Sequence, residues 1–222
     1  MLVISTVGLG NMTKPFDPPS TVSSPDDEPY LGNEQVHVFD LTIIRAMQVL
    51  NEAGDRTFAT SMTPLQSAAA EIVPQGVSIV LSIRELIRQA YLYPAAILVR
   101  PLVERTGMVQ HLVMNPKAVD AWHAGWPRKS QPDFQMLLGL VDSTSSVDEK
   151  EITRQVLHKL VHSDPQGSKF NMFARDDGSL AYASGKEIGQ PKRVEAISKM
   201  ACKCLRQLTA TSVALFGQPS KH

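Results

Sequence analysis

Ala95-Ala96-Ile97-Leu98-Val99-Arg100-Pro101-Leu102-Val103-Glu104, running on to His111, sets an arginine, a glutamate and a histidine inside an otherwise apolar stretch. At 100° per residue, Glu104 lies about 40° and His111 about 20° from Arg100 around a helix axis, so a helix here places all three on one face. Unpartnered charge in an apolar interior is costly. This face therefore either carries a polar network in the core or lines a site. Pro94 suits the first turn of such a helix, Pro101 bends it by removing a backbone donor, and Asn115-Pro116 stops it after Met114.

Upstream, Val36, Phe39, Ile43, Met47 and Leu50 recur at spacings of three and four, which predicts a helix over 34–53 ended by Gly54. Thr63-Pro64 has the form of an N-cap with proline at the first helical position. It opens Leu65 to Val73, which Pro74 and Gly76 are expected to kink or break. Val77 to Tyr93 then forms the next helix, with Arg84 and Arg88 flanking its apolar stripe, positioned for Glu104, Glu85 or water. From Gly8 to Gly32 five prolines stand among Ser, Thr and Asp with few apolar residues, so residues 1–33 read as an extended or disordered tail.

Downstream, shorter helices are predicted over 117–126 and 133–141, separated by a loop containing Pro127 and Pro132. Trp122 and Trp126, four apart, read as core packing. Ser146-Val147-Asp148-Glu149 is a capping box, so a helix begins there and runs to His162. Phe170–Ala174 and Leu180–Ala183 flank an Asp-Gly turn in the pattern of a small β-hairpin. Pro191 opens a last helix whose stripe of Val194, Ile197, Met200, Ala201, Cys204, Leu208 and Leu215 ends at Gly217, leaving 218–222 as a short tail. The pattern as a whole is all-α, a helical domain over 34–217 with one hairpin before its final helix.

A chain of 222 residues, 43% hydrophobic and 20% charged, has the length and composition of one globular domain with a tail. Lys plus Arg equals Asp plus Glu at 22 each, which excludes a strongly basic nucleic-acid binder but leaves room for a local patch. Cys202 and Cys204 diverge by roughly 160° on a helix, so they read as reduced buried thiols. No apolar run reaches the roughly 18 residues of a membrane span, and Met1–Val7 lacks the basic start of a signal peptide. A bacterial-type cytoplasm or its equivalent is the expected setting.

Two groups carry candidate chemistry. In the first, Arg100 holds a phosphate or carboxylate, His111 moves a proton and Glu104 orients either; the alternative is an Arg100–Glu104 ion pair with His111 in a polar pocket. The second is His158 and His162, whose i,i+4 spacing permits a shared metal, although a catalytic zinc requires a third ligand and only Asp164 is near in sequence. Helix C-termini also favour histidine through the dipole and free carbonyls, and a metal-free site is the third reading. Arg105 and His111 match an arginine-to-histidine spacing of helical ribonucleases, but lie about 120° apart on a regular helix. Phosphate-cradling glycine loops, a Gly-x-Ser-x-Gly elbow and paired CxxC elements are absent from the sequence.

The run Leu98–Glu104, with Leu157–His162 downstream and a long final helix, resembles bacterial helical families grouped with the HEPN-like proteins, the higher eukaryote and prokaryote nucleotide-binding bundles. Those families carry arginine-x-x-x-glutamate on one core helix and Val-His near the end of a later one. The resemblance spans roughly residues 75–215 and implies an up-and-down helical bundle, commonly a homodimer, with relatives among RNA-cutting toxins and phage-defence proteins; no cofactor is expected from the sequence. It points to Arg100, Glu104 and His162, with His158 beside them. The expected function is binding, to a second copy, a partner protein, a nucleotide or RNA, through Arg100 and its neighbours; the alternatives are a metal-independent endoribonuclease and a metal-dependent hydrolase at His158 and His162. The ribonuclease branch uses an arginine-to-histidine motif on one helix, for which Arg105 and His111 are the only counterpart.

Overall fold

The computed structural model describes residues 28–57, 61–127, 130–162, 164–165, 167–174, 177–182 and 185–217. Among these, the chain is mainly helical: α1 (Glu34–Thr57), α2 (Pro64–Arg88), α3 (Leu92–Met114), α4 (Ala118–His123), α5 (Phe134–Val141), α6 (Val147–Val161) and α7 (Pro191–Phe216). Before α7, Met172–Ala174 (β1) and Leu180–Tyr182 (β2) pair antiparallel, with Phe173 opposite Ala181. Arg175 and Asp176 between them lie outside the described residues, as do the expected tail segments 1–27 and 218–222. No helix among the described residues is long and apolar enough to cross a membrane.

Local chemistry sets most helix starts. The Asn33 side chain accepts from the N–H groups of Gln35 and Val36 at 3.0 and 3.2 Å, capping α1. Thr63 with Gln66 and Ser146 with Glu149 each close a reciprocal capping box on α2 and α6, and Asp133 caps α5 through Met136 N–H. α3 has no such cap of its own.

Several boundaries differ from the sequence reading: α3 starts at Leu92, before Pro94, and α4 covers Ala118–His123 rather than 117–126. α1 continues past Gly54 to Thr57. α2 runs unbroken through Pro74 and Gly76, because the packing of its long buried face outweighs one lost backbone bond. Gly76 is a packing position: a Cβ there would lie 2.6 Å from Leu208 Cδ1 of α7. α2 then stops at Arg88, where Ala90 takes φ 60° and Tyr91 N–H returns to Leu86 C=O at 2.8 Å, a Schellman closure built on alanine. Within the span read as a tail, Glu28–Asn33 pack onto the domain. Tyr30 is buried and Glu28 pairs with Arg84 at 2.6 Å.

α3 and α7 are the central pair. α3 packs against α2, α5, α6 and α7, while α7 packs against α1, α2 and α3. Gly107 lets α5 cross close over α3, since a Cβ there would lie 2.7 Å from the Leu137 carbonyl oxygen. That close crossing brings the N-terminus of α5 up to the middle of α3, where Arg100 stands.

Candidate functional site

Arg100 projects from α3 between α5 and α6, its side chain 17% exposed. Its Nε donates to Glu104 Oε1 at 3.1 Å, one turn further along the same helix. Its guanidinium lies over the Phe134 ring, 4.6 Å from the centroid, so the first residue of α5 serves as a platform for the cation. Its Nη1 meets His158 Nδ1 of α6 at 3.3 Å. Arginine has donors only, so Nδ1 must be the acceptor and His158 is the neutral tautomer with its proton on Nε2.

The surroundings favour that neutral form. Loss of water around the ring, and then the nearby His162, Arg100 and Arg154, hold His158 below its usual pKa. The His158 and His162 rings stand 4.3 Å apart between centroids at 43°. Both imidazoles are exposed, one turn apart at the end of α6. On another side of Arg100 a polar groove of about 350 Å³ is lined by Arg100, Glu104, Arg105, Gln131, Asp133 and Phe134.

The structure thus brings Arg100, Glu104 and His158 into contact, with His162 reached through His158. His111 stands apart. It shares an angular face with Arg100 but lies eleven residues further along α3, about 16 Å of rise. There it faces Trp126, with ring centroids 6.2 Å apart, and its Nδ1 lies 3.4 Å from Asn115 Nδ2. Arg105 donates to Gln75 at 2.9 Å and lines the groove, so it is not paired with His111.

Among the described residues no group of three or more His, Cys, Asp and Glu could hold a metal ion, so His158 and His162 gain no third ligand there. Phe134 escaped the sequence reading. An aromatic directly after an Asp cap is its only signal, and that signal is indistinguishable from ordinary helix packing.

A second polar cluster also went unread. Glu187, buried in the loop before α7, accepts Tyr93 N–H at 3.0 Å and Arg193 Nη1 at 2.5 Å. Its backbone N–H reaches Ala90 C=O at 2.8 Å, and its carbonyl accepts from the Tyr30 hydroxyl. Every partner of Glu187 is structural, so this cluster locks the start of α3 and leaves the Arg100 groove as the candidate site. Comparison with protein-family profiles, curated proteins and solved structures finds no match to this chain.

Proposed function

We propose that this chain is a HEPN-like, up-and-down helical protein, homodimeric, that works by binding RNA or a nucleotide at the Arg100 groove. The observation that carries the reading is the convergence of side chains from three helices: the Arg100 guanidinium, the Phe134 ring and the His158 imidazole. A guanidinium with free edge donors recognises phosphate, and an aromatic or guanidinium plane stacks on a nucleobase. Glu104, bonded to Arg100, orients the cation, while Arg105 adds a second positive group to the groove. Because two carboxylates line the same space, affinity rests on few phosphate contacts and falls with salt.

Fluorescence anisotropy with a labelled ten-nucleotide RNA of mixed sequence, and competition by ATP, tests the reading. Arg100→Ala is expected to weaken binding about ten-fold or more, with Arg105→Ala adding a smaller loss and a shallower salt slope. Equal binding by Arg100→Ala and the parent chain overturns it.

A second reading, favoured by the adjacent His158 and His162 rings beside Arg100, is a metal-independent endoribonuclease. The His162 imidazole takes the proton of a ribose 2′-hydroxyl as that oxygen attacks the adjacent phosphorus. Arg100, held by His158, neutralises the phosphorane charge, and the imidazolium formed at His162 returns the proton to the leaving 5′-oxygen. His111 is too far along α3 to share that step. Total RNA incubated with the protein and excess chelator should be cut, and His162→Ala should stop the cutting; intact RNA removes this reading while leaving binding in place.

A further inference from the structure

One helix of the domain presents an unpartnered apolar stripe whose flanking charges are arranged in reverse order at its two ends. α6 packs on α3 and α5 and stands off from α7, leaving a groove lined by Ile152, Val156, Ala196 and Met200. The apolar part of that groove encloses about 260 Å³ and continues into a wider mouth beside Lys199. Ile152 is 63% and Val156 47% exposed, unusual for β-branched residues at adjacent turns of one helix.

Around the axis of α6, Asp148, Ile152, Val156 and Lys159 fall within about 80° of one another. The order along the stripe is acid, apolar, apolar, base. The midpoint of Asp148 and Lys159 and that of Ile152 and Val156 both fall within about half a residue of Arg154, on a helix rising 1.5 Å per residue. A two-fold axis at that point lays a second α6 antiparallel on the first. Ile152 then meets the partner's Val156, and Asp148 of each copy meets Lys159 of the other. A partner of different sequence has no reason to match both pairs at one centre, whereas a second copy matches them by symmetry.

We propose that α6 is the self-association surface of this protein, through an antiparallel α6–α6 contact centred near Arg154 and flanked by the α6–α7 groove. The apolar pair supplies the buried centre, and the two Asp148–Lys159 pairs set orientation and register. The contact depends on the α6 stripe alone. It rests on the homodimer proposed above and gives it a surface, and it stands or falls separately from ligand binding at Arg100, which is read by anisotropy rather than by mass.

Sedimentation equilibrium of the full chain from 1 to 300 µM tests the assignment, with circular dichroism to verify helix content. The parent chain is expected to dimerise within that range. Ile152→Glu should raise the dimer Kd at least thirty-fold at unchanged helicity, since residue 152 faces solvent in the monomer. Asp148→Lys should weaken the dimer about ten-fold by removing two pairs and opposing like charges. The double exchange Asp148→Lys with Lys159→Asp should recover most of that loss, because the reversed charges again face each other. A parent chain that stays monomeric at 300 µM, a dimer indifferent to Ile152→Glu, or a double exchange no tighter than Asp148→Lys alone overturns the assignment.

Discussion

The Glu187 carboxylate accepts the Tyr93 backbone N–H at 3.0 Å, and so caps α3 from a loop 94 positions further along the chain. Among the described residues α3 is the one long helix with neither its own side-chain cap nor a proline at its first position, and the open N–H groups of its first turn attract the negative end of a distant residue. Arg193, whose guanidinium also lies 4.3 Å from the Phe170 centroid, holds the other carboxylate oxygen.

Glu187→Ala should therefore destabilise the domain by about 2–3 kcal/mol, removing a cap and leaving Arg193 without its buried partner. Glu187→Gln keeps an acceptor for Tyr93 N–H and should lose roughly half as much. Urea denaturation followed by circular dichroism measures both, and equal losses would show that the charge carries no part of the cap.

Gly107 and Gly139 should respond to alanine with opposite sign. A Cβ at Gly107 meets Leu137 backbone atoms at 2.7 and 2.9 Å, which only a shift of α5 relieves, so Gly107→Ala should cost about 2 kcal/mol. Nothing lies within 4 Å of a Cβ at Gly139, inside α5, so Gly139→Ala should gain up to about 1 kcal/mol from helix propensity. Thermal unfolding of the two variants beside the parent chain decides it.

Folding stability should fall as His158 titrates. Its pKa is lowered in the folded protein from the usual 6.5, by desolvation first and then by His162, Arg100 and Arg154. The unfolded chain therefore binds more protons, so the contribution is complete above about pH 6.5 and is lost as pH drops from there through the folded value. Protonation also removes the acceptor that Nδ1 offers Arg100. Denaturation midpoints between pH 7.5 and 5 should decline less steeply in His158→Gln, and NMR titration of the imidazole should give a value below that of a free histidine.

Cys202 and Cys204 should resist thiol reagents in the native state. Burial pushes the Cys204 thiol up to about 12 and raises Cys202 as well, so neither holds much thiolate at pH 8. Both are free and buried. Reaction with a chromogenic disulfide should wait on unfolding, and a stoichiometric fast phase in native buffer would contradict the burial.

Features of the fold that depend on a few neighbouring residues are legible along the chain. Ser146 and Glu149 bond each other across three residues, Thr63 and Pro64 open α2, and the stripe from Val194 to Leu208 lies on one side of α7. The same rules fail where a distant partner changes the balance. Pro74 and Gly76 carry the marks of a helix break, yet Leu208, over a hundred residues away, fits against the missing Cβ and the helix continues. Tyr30 sits among prolines and acids, yet its ring is buried and its hydroxyl reaches the Glu187 carbonyl.

The candidate site divides along the same line. Arg100 and Glu104 are one turn apart, so their pairing follows from helical geometry wherever the helix lies. His111 met the angular condition and failed the axial one, because periodicity counts rotation while contact also requires rise. That His158 closes on Arg100, that Phe134 lies beneath the guanidinium, and that Glu187 caps α3 follow from how α5, α6 and the loop before α7 settle against α3. Helices form by rules acting over about four residues, and those rules can be read in order. Which faces meet is set by shape and burial summed over the whole packed chain, and no local stretch of sequence contains that sum.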